Sequence, residues 1–163
     1  MFNWFECKVK YEKQAEDGAI KSTSETYLVD AQTFTEAEAR IVLETKAFAS
    51  VAVGELSVEN IKRIKIAEMF NMHDESADRW YRSKVNFITI DEKKGVEKRT
   101  SYAMMVKGKD IQEALKELEK GLSTGASDYE IVNISETPIM DVFEYAPITT
   151  SKVKEGNAES PAE

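Results

Sequence analysis

Two tryptophans, each followed by two cations at even spacings, four and six residues on from Trp4 and two and four on from Trp80, are the side chains of this sequence best suited to chemistry. Trp4 stands with Lys8 and Lys10, and Trp80 with Arg82, Lys84 and Asn86. In an extended chain, residues two or four apart point to the same side. Each set would then present an indole plate flanked by positive groups, with Lys21 or Lys98-Arg99 on the neighbouring strand. A planar anion suits such a surface, the ring stacking a base while the cations hold phosphate. Packing is the competing reading. An indole on the outward face of a strand often covers a helix, a loop or a second subunit, and the lysines then only solvate the sheet. At a two-fold interface both readings hold together. The candidate ligand-binding residues are Trp4, Lys8, Trp80, Arg82, Lys84 and Arg99.

Other chemistry has less to stand on. His73-Asp74-Glu75 is the one cluster of metal-ligand types, but it has a single histidine and no second His or Cys nearby. A divalent-metal site needs three or four convergent ligands, so no metal and no cofactor is expected. Neither a Gly-x-Ser-x-Gly elbow nor a Walker or Gly-x-Gly-x-x-Gly phosphate loop occurs. No residue is therefore assigned a catalytic role, and an enzyme is the less favoured class. Cys7 alternates in phase with Phe5, Val9 and Tyr11, which makes it a small buried hydrophobe rather than a nucleophile.

The tryptophan segments are two copies of one pattern. Trp4, Lys8, Val9 and Tyr11 fall on Trp80, Lys84, Val85 and Phe87, and Gly18, Lys21, Thr23, Glu36 and Ala37 fall on Gly95, Lys98, Thr100, Glu113 and Ala114. Each copy reads as a ββαβ unit. Strands are expected over 2–12 and 21–31, then a helix from about Phe34 to about Lys46 with Thr33 and Glu36 forming a capping box, then a closing strand over 61–70. The second copy starts at Arg79, turns at Asp91–Gly95, returns over 97–107, opens a helix at Asp110 with Glu113, and closes with a strand over 129–135. Residues 139–145 add a short edge strand after Pro138. The stretch 47–60 fits either a short strand or a packed loop.

The expected fold is therefore α+β: tandem duplicated ββαβ units forming a mainly antiparallel sheet of six or more strands with two packed helices. The halves span 1–70 and 79–146 and share one domain, joined by an acidic connection over 71–78. Residues 147–163 form a disordered tail by composition. Whether the strands make one sheet or two packed sheets is open at this level.

Charge and composition narrow the partners. Of 163 residues 42% are hydrophobic, enough for a core, and 30 acidic against 22 basic residues give a net charge of −8. That balance opposes general nucleic-acid or anionic-membrane binding. One cysteine allows no intramolecular disulfide, no apolar run reaches the length of a membrane span, and the first residues lack the regions of a secretion signal. A soluble, cytoplasmic protein is expected.

The pattern Trp-[Tyr/Phe]-x-x-Lys-Val opening each half, with a helix beginning in Glu-Ala, resembles a small bacterial and phage family of unknown function. The likeness covers roughly residues 1–145, and Trp80-Tyr81, Lys84-Val85, Thr89-Ile90-Asp91-Glu92 and Lys98-Arg99-Thr100 carry it. No catalytic residues carry over. The resemblance implies a cytoplasmic protein, and by analogy of size and habit a phage-type sponge that sequesters a nucleotide signal of a bacterial defence system. The expectation is a non-enzymatic homo-oligomer holding a small anionic, nucleotide-like ligand. The alternative is a protein–protein adaptor or inhibitor acting through its acidic surface or Trp faces. A nucleotide hydrolase using His73 ranks third.

Overall fold

In the computed structural model, which describes residues 3–46 and 53–144, the chain forms two four-stranded sheets, each carrying one helix. The elements are β1 (Asn3–Gln14), β2 (Ile20–Ala31), α1 (Phe34–Thr45), β3 (Ser57–Ile64), β4 (Glu68–Phe70), β5 (Arg79–Asp91), β6 (Val96–Gly108), α2 (Ile111–Leu122), β7 (Asp128–Glu136) and β8 (Ile139–Phe143). The α+β class and the two-fold repetition follow the sequence pattern. The chain segment 47–52 and the tail expected over 147–163 lie outside the described residues.

Local signals account for most boundaries. Thr33 and Asp110 are the two helix N-caps, their side-chain oxygens accepting from the Glu36 and Glu113 N–H groups. Glu36 reaches back to accept from the Gln32 N–H, completing the first cap. Gly95, with φ of 61°, takes the left-handed position that closes the β5–β6 turn.

Each sheet is buried on one face by its helix. Phe5, Cys7, Val9, Tyr27 and Val29 meet Ala37 and Ile41 of α1. In the second half Tyr81, Val85, Met104 and Val106 meet Ala114, Leu118 and Leu122 of α2. The duplication extends to an irregularity. β3 shifts register against β1 between Lys8 and Val9, and β7 shifts against β5 between Lys84 and Val85. Both shifts are β-bulges at equivalent places.

The sheets are not made of the two halves alone. Their strand orders are β3-β1-β2-β8 and β4-β6-β5-β7. The expected closing strand over 61–70 is split: β3 ends at Ile64, and the chain crosses to add β4, in parallel, to the second half's β6. Reciprocally, β8 leaves the second half and pairs in parallel with β2. The edge strand expected over 139–145 therefore exists, on the sheet of the opposite half. Each unit is ββαββ with its last strand exchanged.

The sheet faces turned away from the helices meet in a third core. Leu28, Trp80, Met105 and Ile139 are buried there, with Trp4, Ile64, Ile66, Met69, Met72 and Val142 packed around them. The outward face of the tryptophans, expected to be polar, is thus covered around Trp80 by the other sheet. The covering groups lie on β2 and on the exchanged strand β8. Their distance along the chain is why the strand's own alternation cannot show them.

Candidate functional site

β5 carries the row Trp80, Arg82, Lys84 and Asn86 on the face away from α2. The ladder sets its neighbours: Arg82 lies opposite Met105 of β6 and Ser135 of β7, Lys84 opposite Ala103 and Asn133, and Asn86 opposite Ser101 and Glu130. Directly opposed residues share a face. Beyond the buried Trp80–Met105 patch this face opens into a shallow concavity of about 440 Å³. Arg82, Lys84, Ser101, Ala103, Asn133 and Ser135 are among the residues that line it, with Ser83 and Tyr102. The methyl of Ala103 leaves room beside Lys84; the equivalent position of the first half holds Thr26, opposite Lys8.

The polar groups of the hollow are mainly donors. Asn133 accepts from the Lys84 N–H through Oδ1 at 3.2 Å, which leaves its NH2 group for a ligand. Beneath it the buried Ser83 donates to the Asn133 carbonyl at 2.6 Å, fixing the bulge that carries Asn133. Ser101 donates to Asn86 at 2.6 Å. Neither Arg82 nor Lys84 forms an ion pair among the described residues.

Of the six sequence candidates, the structure brings Arg82 and Lys84 together in this hollow. Trp80 lies on the same strand but is 2% exposed, and its ring already has the Lys107 ammonium 5.7 Å from its centroid. No face of it is open for stacking. Trp4 is half-buried in the same core. Arg99 stands further out, opposite Ile88, and pairs with Glu130 at 3.2 Å and Glu97 at 4.0 Å. Lys8 belongs to the first sheet, where Glu59 lies 3.6 Å from it and 3.9 Å from Lys10.

Asn133, Ser101, Ser135 and Ala103 were not among the candidates. A signal for Asn133 was present: Val58-Glu59-Asn60-Ile61 and Ile131-Val132-Asn133-Ile134 are a further repeat, each spanning a bulge.

A family model matches residues 3–145. The chain belongs to the family described as Domain of unknown function (DUF4494). The match spans both halves and both exchanged strands, so the whole duplicated unit is one family domain. A search of curated proteins returned no match.

Elsewhere the chemistry is sparse. His73 is largely exposed, 3.7 Å from Glu144. Neighbouring Asp74 accepts from the Ser76 hydroxyl and N–H, which holds its carboxyl below the usual range. Among the described residues no group of three or more His, Cys, Asp or Glu side chains could hold a metal ion. No helix among them is long and apolar enough to cross a membrane.

Proposed function

We propose that this protein is a non-enzymatic binding protein for a small anionic ligand, held in the hollow of β5, β6 and β7. One observation carries the reading: Arg82 and Lys84 stand side by side on one face, with no carboxylate partner among the described residues. The contrast within the chain supports it. Lys8 and Lys10 of the first half share Glu59, whereas Lys84, the counterpart of Lys8, has no such partner among the described residues. Two uncompensated cations on one small patch of a chain with net charge −8 favour an anion from solution.

The hollow supplies donors and fixed charge but no aligned base and nucleophile, which fits binding without turnover. The indoles do not enter this reading, since Trp80 is enclosed.

The test is a titration of isotope-labelled protein with sodium sulfate at fixed ionic strength, followed by amide NMR shifts. Saturable shifts at Lys84, Ala103 and Asn133, lost in the Arg82→Ala/Lys84→Ala double variant, are expected. Shifts of equal size at Lys8 and Asn60, or shifts that survive the double variant, would remove the site.

A further inference from the structure

We infer that the group this hollow recognises is a doubly charged phosphoryl group, and that the rest of the ligand stays in solvent. The inference rests on the anion-binding reading above and names its chemistry.

Three features select the group. Arg82 and Lys84 lie two residues apart on one strand face, a separation of about 7 Å along the strand that lets both side chains converge on one centre. The guanidinium offers a planar fork of N–H donors and the ammonium a compact point charge. Asn133, with its oxygen engaged by the Lys84 N–H, presents its NH2 group, and the Ser135 hydroxyl stands opposite Arg82. A carboxylate carries one charge and two oxygens in a plane. A phosphate monoester carries nearly two charges and three terminal oxygens that all accept, and so matches two cations and two further donors.

The surroundings set the limit of recognition. The hollow is open to solvent and lined from one sheet alone, so no wall encloses a base or sugar. The nearest indole, Trp80, is buried beneath the other sheet, which removes the stacking contact through which a base is usually held. A nucleotide and a simple sugar phosphate should therefore bind alike.

Protonation gives a direct readout. A phosphate monoester loses its second proton with a pKa of about 6, so about one-tenth of it is dianionic at pH 5. The hollow is lined by Arg82, Ser83 and Lys84 from β5, Ser101, Tyr102 and Ala103 from β6, and Asn133 and Ser135 from β7, and the nearest carboxylate on that face, Glu130 opposite Asn86, is paired with Arg99. Histidine, the side chain that ordinarily titrates between pH 5 and 8, is absent from this lining. The pH dependence over that range then belongs to the ligand.

The experiment is isothermal titration calorimetry of the full chain at pH 5.0 and 7.5. The probes are ribose 5-phosphate, adenosine 5′-monophosphate, adenosine, sulfate and succinate. Both phosphate esters should bind about tenfold more tightly at pH 7.5, within about threefold of each other. Sulfate, dianionic at both pH values, should change little, and adenosine should not bind. Succinate binding at pH 7.5 as tightly as ribose 5-phosphate, or the nucleotide binding far more tightly than the sugar phosphate, would overturn the phosphoryl inference and leave anion binding standing. Absence of binding by every anion would overturn both.

Discussion

Val132 occupies in the second half the position that Glu59 occupies in the first. Each is the extra residue of a β-bulge, lying between the partners of Lys8 and Val9 in one sheet and of Lys84 and Val85 in the other. Glu59 turns its carboxylate to Lys8 and Lys10. Val132 offers nothing to Arg82 or Lys84 and is 46% exposed. One position of the duplication thus separates the paired Lys8 from the unpaired Lys84.

Val132→Glu should give Lys84 the carboxylate neighbour that Glu59 gives Lys8. A carboxylate on that bulge would pair with Lys84 and compete with a bound anion. An exposed pair is worth about 0.2–1 kcal/mol, so affinity for a phosphate ester should fall by a factor between about 1.4 and 5. The fold should be untouched, because the position faces solvent. Calorimetric titration beside a thermal melt reads both. Glu59→Val should not create a matching site, because Glu6 stands in the first half where Arg82 stands in the second.

Ser83→Ala should loosen Asn133. Ser83 is fully buried, and its hydroxyl satisfies the Asn133 carbonyl at the bulge. Removing it leaves that acceptor without its donor at a cost of about 1–3 kcal/mol. The Lys84 amide, which donates to the Asn133 side chain, should shift in NMR spectra even without ligand. Anion affinity should weaken together with stability. An unchanged Lys84 amide would show that Ser83 does not position Asn133.

Trp80→Ala should destabilise the protein by about 3–5 kcal/mol, through lost burial and the cavity left between the sheets. Urea unfolding followed by circular dichroism measures this. Trp80→Phe retains most of the volume and should keep ligand affinity near wild type. A ligand-stacking role predicts the opposite: strong loss of affinity in both variants with stability preserved.

How far the sequence could be read follows from where each contact lies along the chain. Helix caps, the Gly95 turn and the buried face of Cys7 depend on neighbours a few residues away, and period and residue type show them. The exchange of β4 and β8 does not. β4 has three residues, too few for alternation to register, and its partner β6 lies far along the chain. The tryptophan face shows the same limit in another form. Alternation placed Trp80 correctly on the side away from α2, but what covers that side is Leu28 and Ile139 from distant strands. That Arg82 and Lys84 share one exposed strand face was legible, because alternation along a single strand suffices. Asn133 and Ser135 reach them only through strand register.

Gly121→Ala tests the exchanged strand. In an isolated helix the substitution should help by about 1 kcal/mol. Here a methyl at Gly121 would run into the ring of Phe70, which β4 lays against α2. Overpacking of this kind costs about 1–3 kcal/mol, so net destabilisation is expected. The double variant Gly121→Ala/Phe70→Leu should recover part of the loss. Stabilisation by Gly121→Ala alone would mean that β4 does not dock there.

Alkaline pH should unfold the protein through its buried acids. Burial, aided by the charge of Glu6, pushes the Cys7 thiol up to about 12. Burial also raises Tyr11 and Tyr27, and Glu25 adds to this by accepting their hydroxyls at 2.8 and 2.6 Å. In each case the folded state holds a proton that the unfolded chain releases more readily. The associated stability is complete below the unfolded pKa, near 9 for the thiol, and is lost as pH rises toward the folded value. Urea midpoints should therefore be flat up to about pH 8.5 and decline from about pH 9. Cys7→Ala should delay the onset to the region where unfolded tyrosines ionise, near pH 10, whatever its effect on the absolute midpoint. Native Cys7 should also resist iodoacetamide at pH 8 and react once urea exposes it, because the thiolate is the nucleophile and burial suppresses it. Rapid labelling of the folded protein would show that the sheet–helix core around Phe5 and Ile41 opens to solvent far more readily than its packing implies.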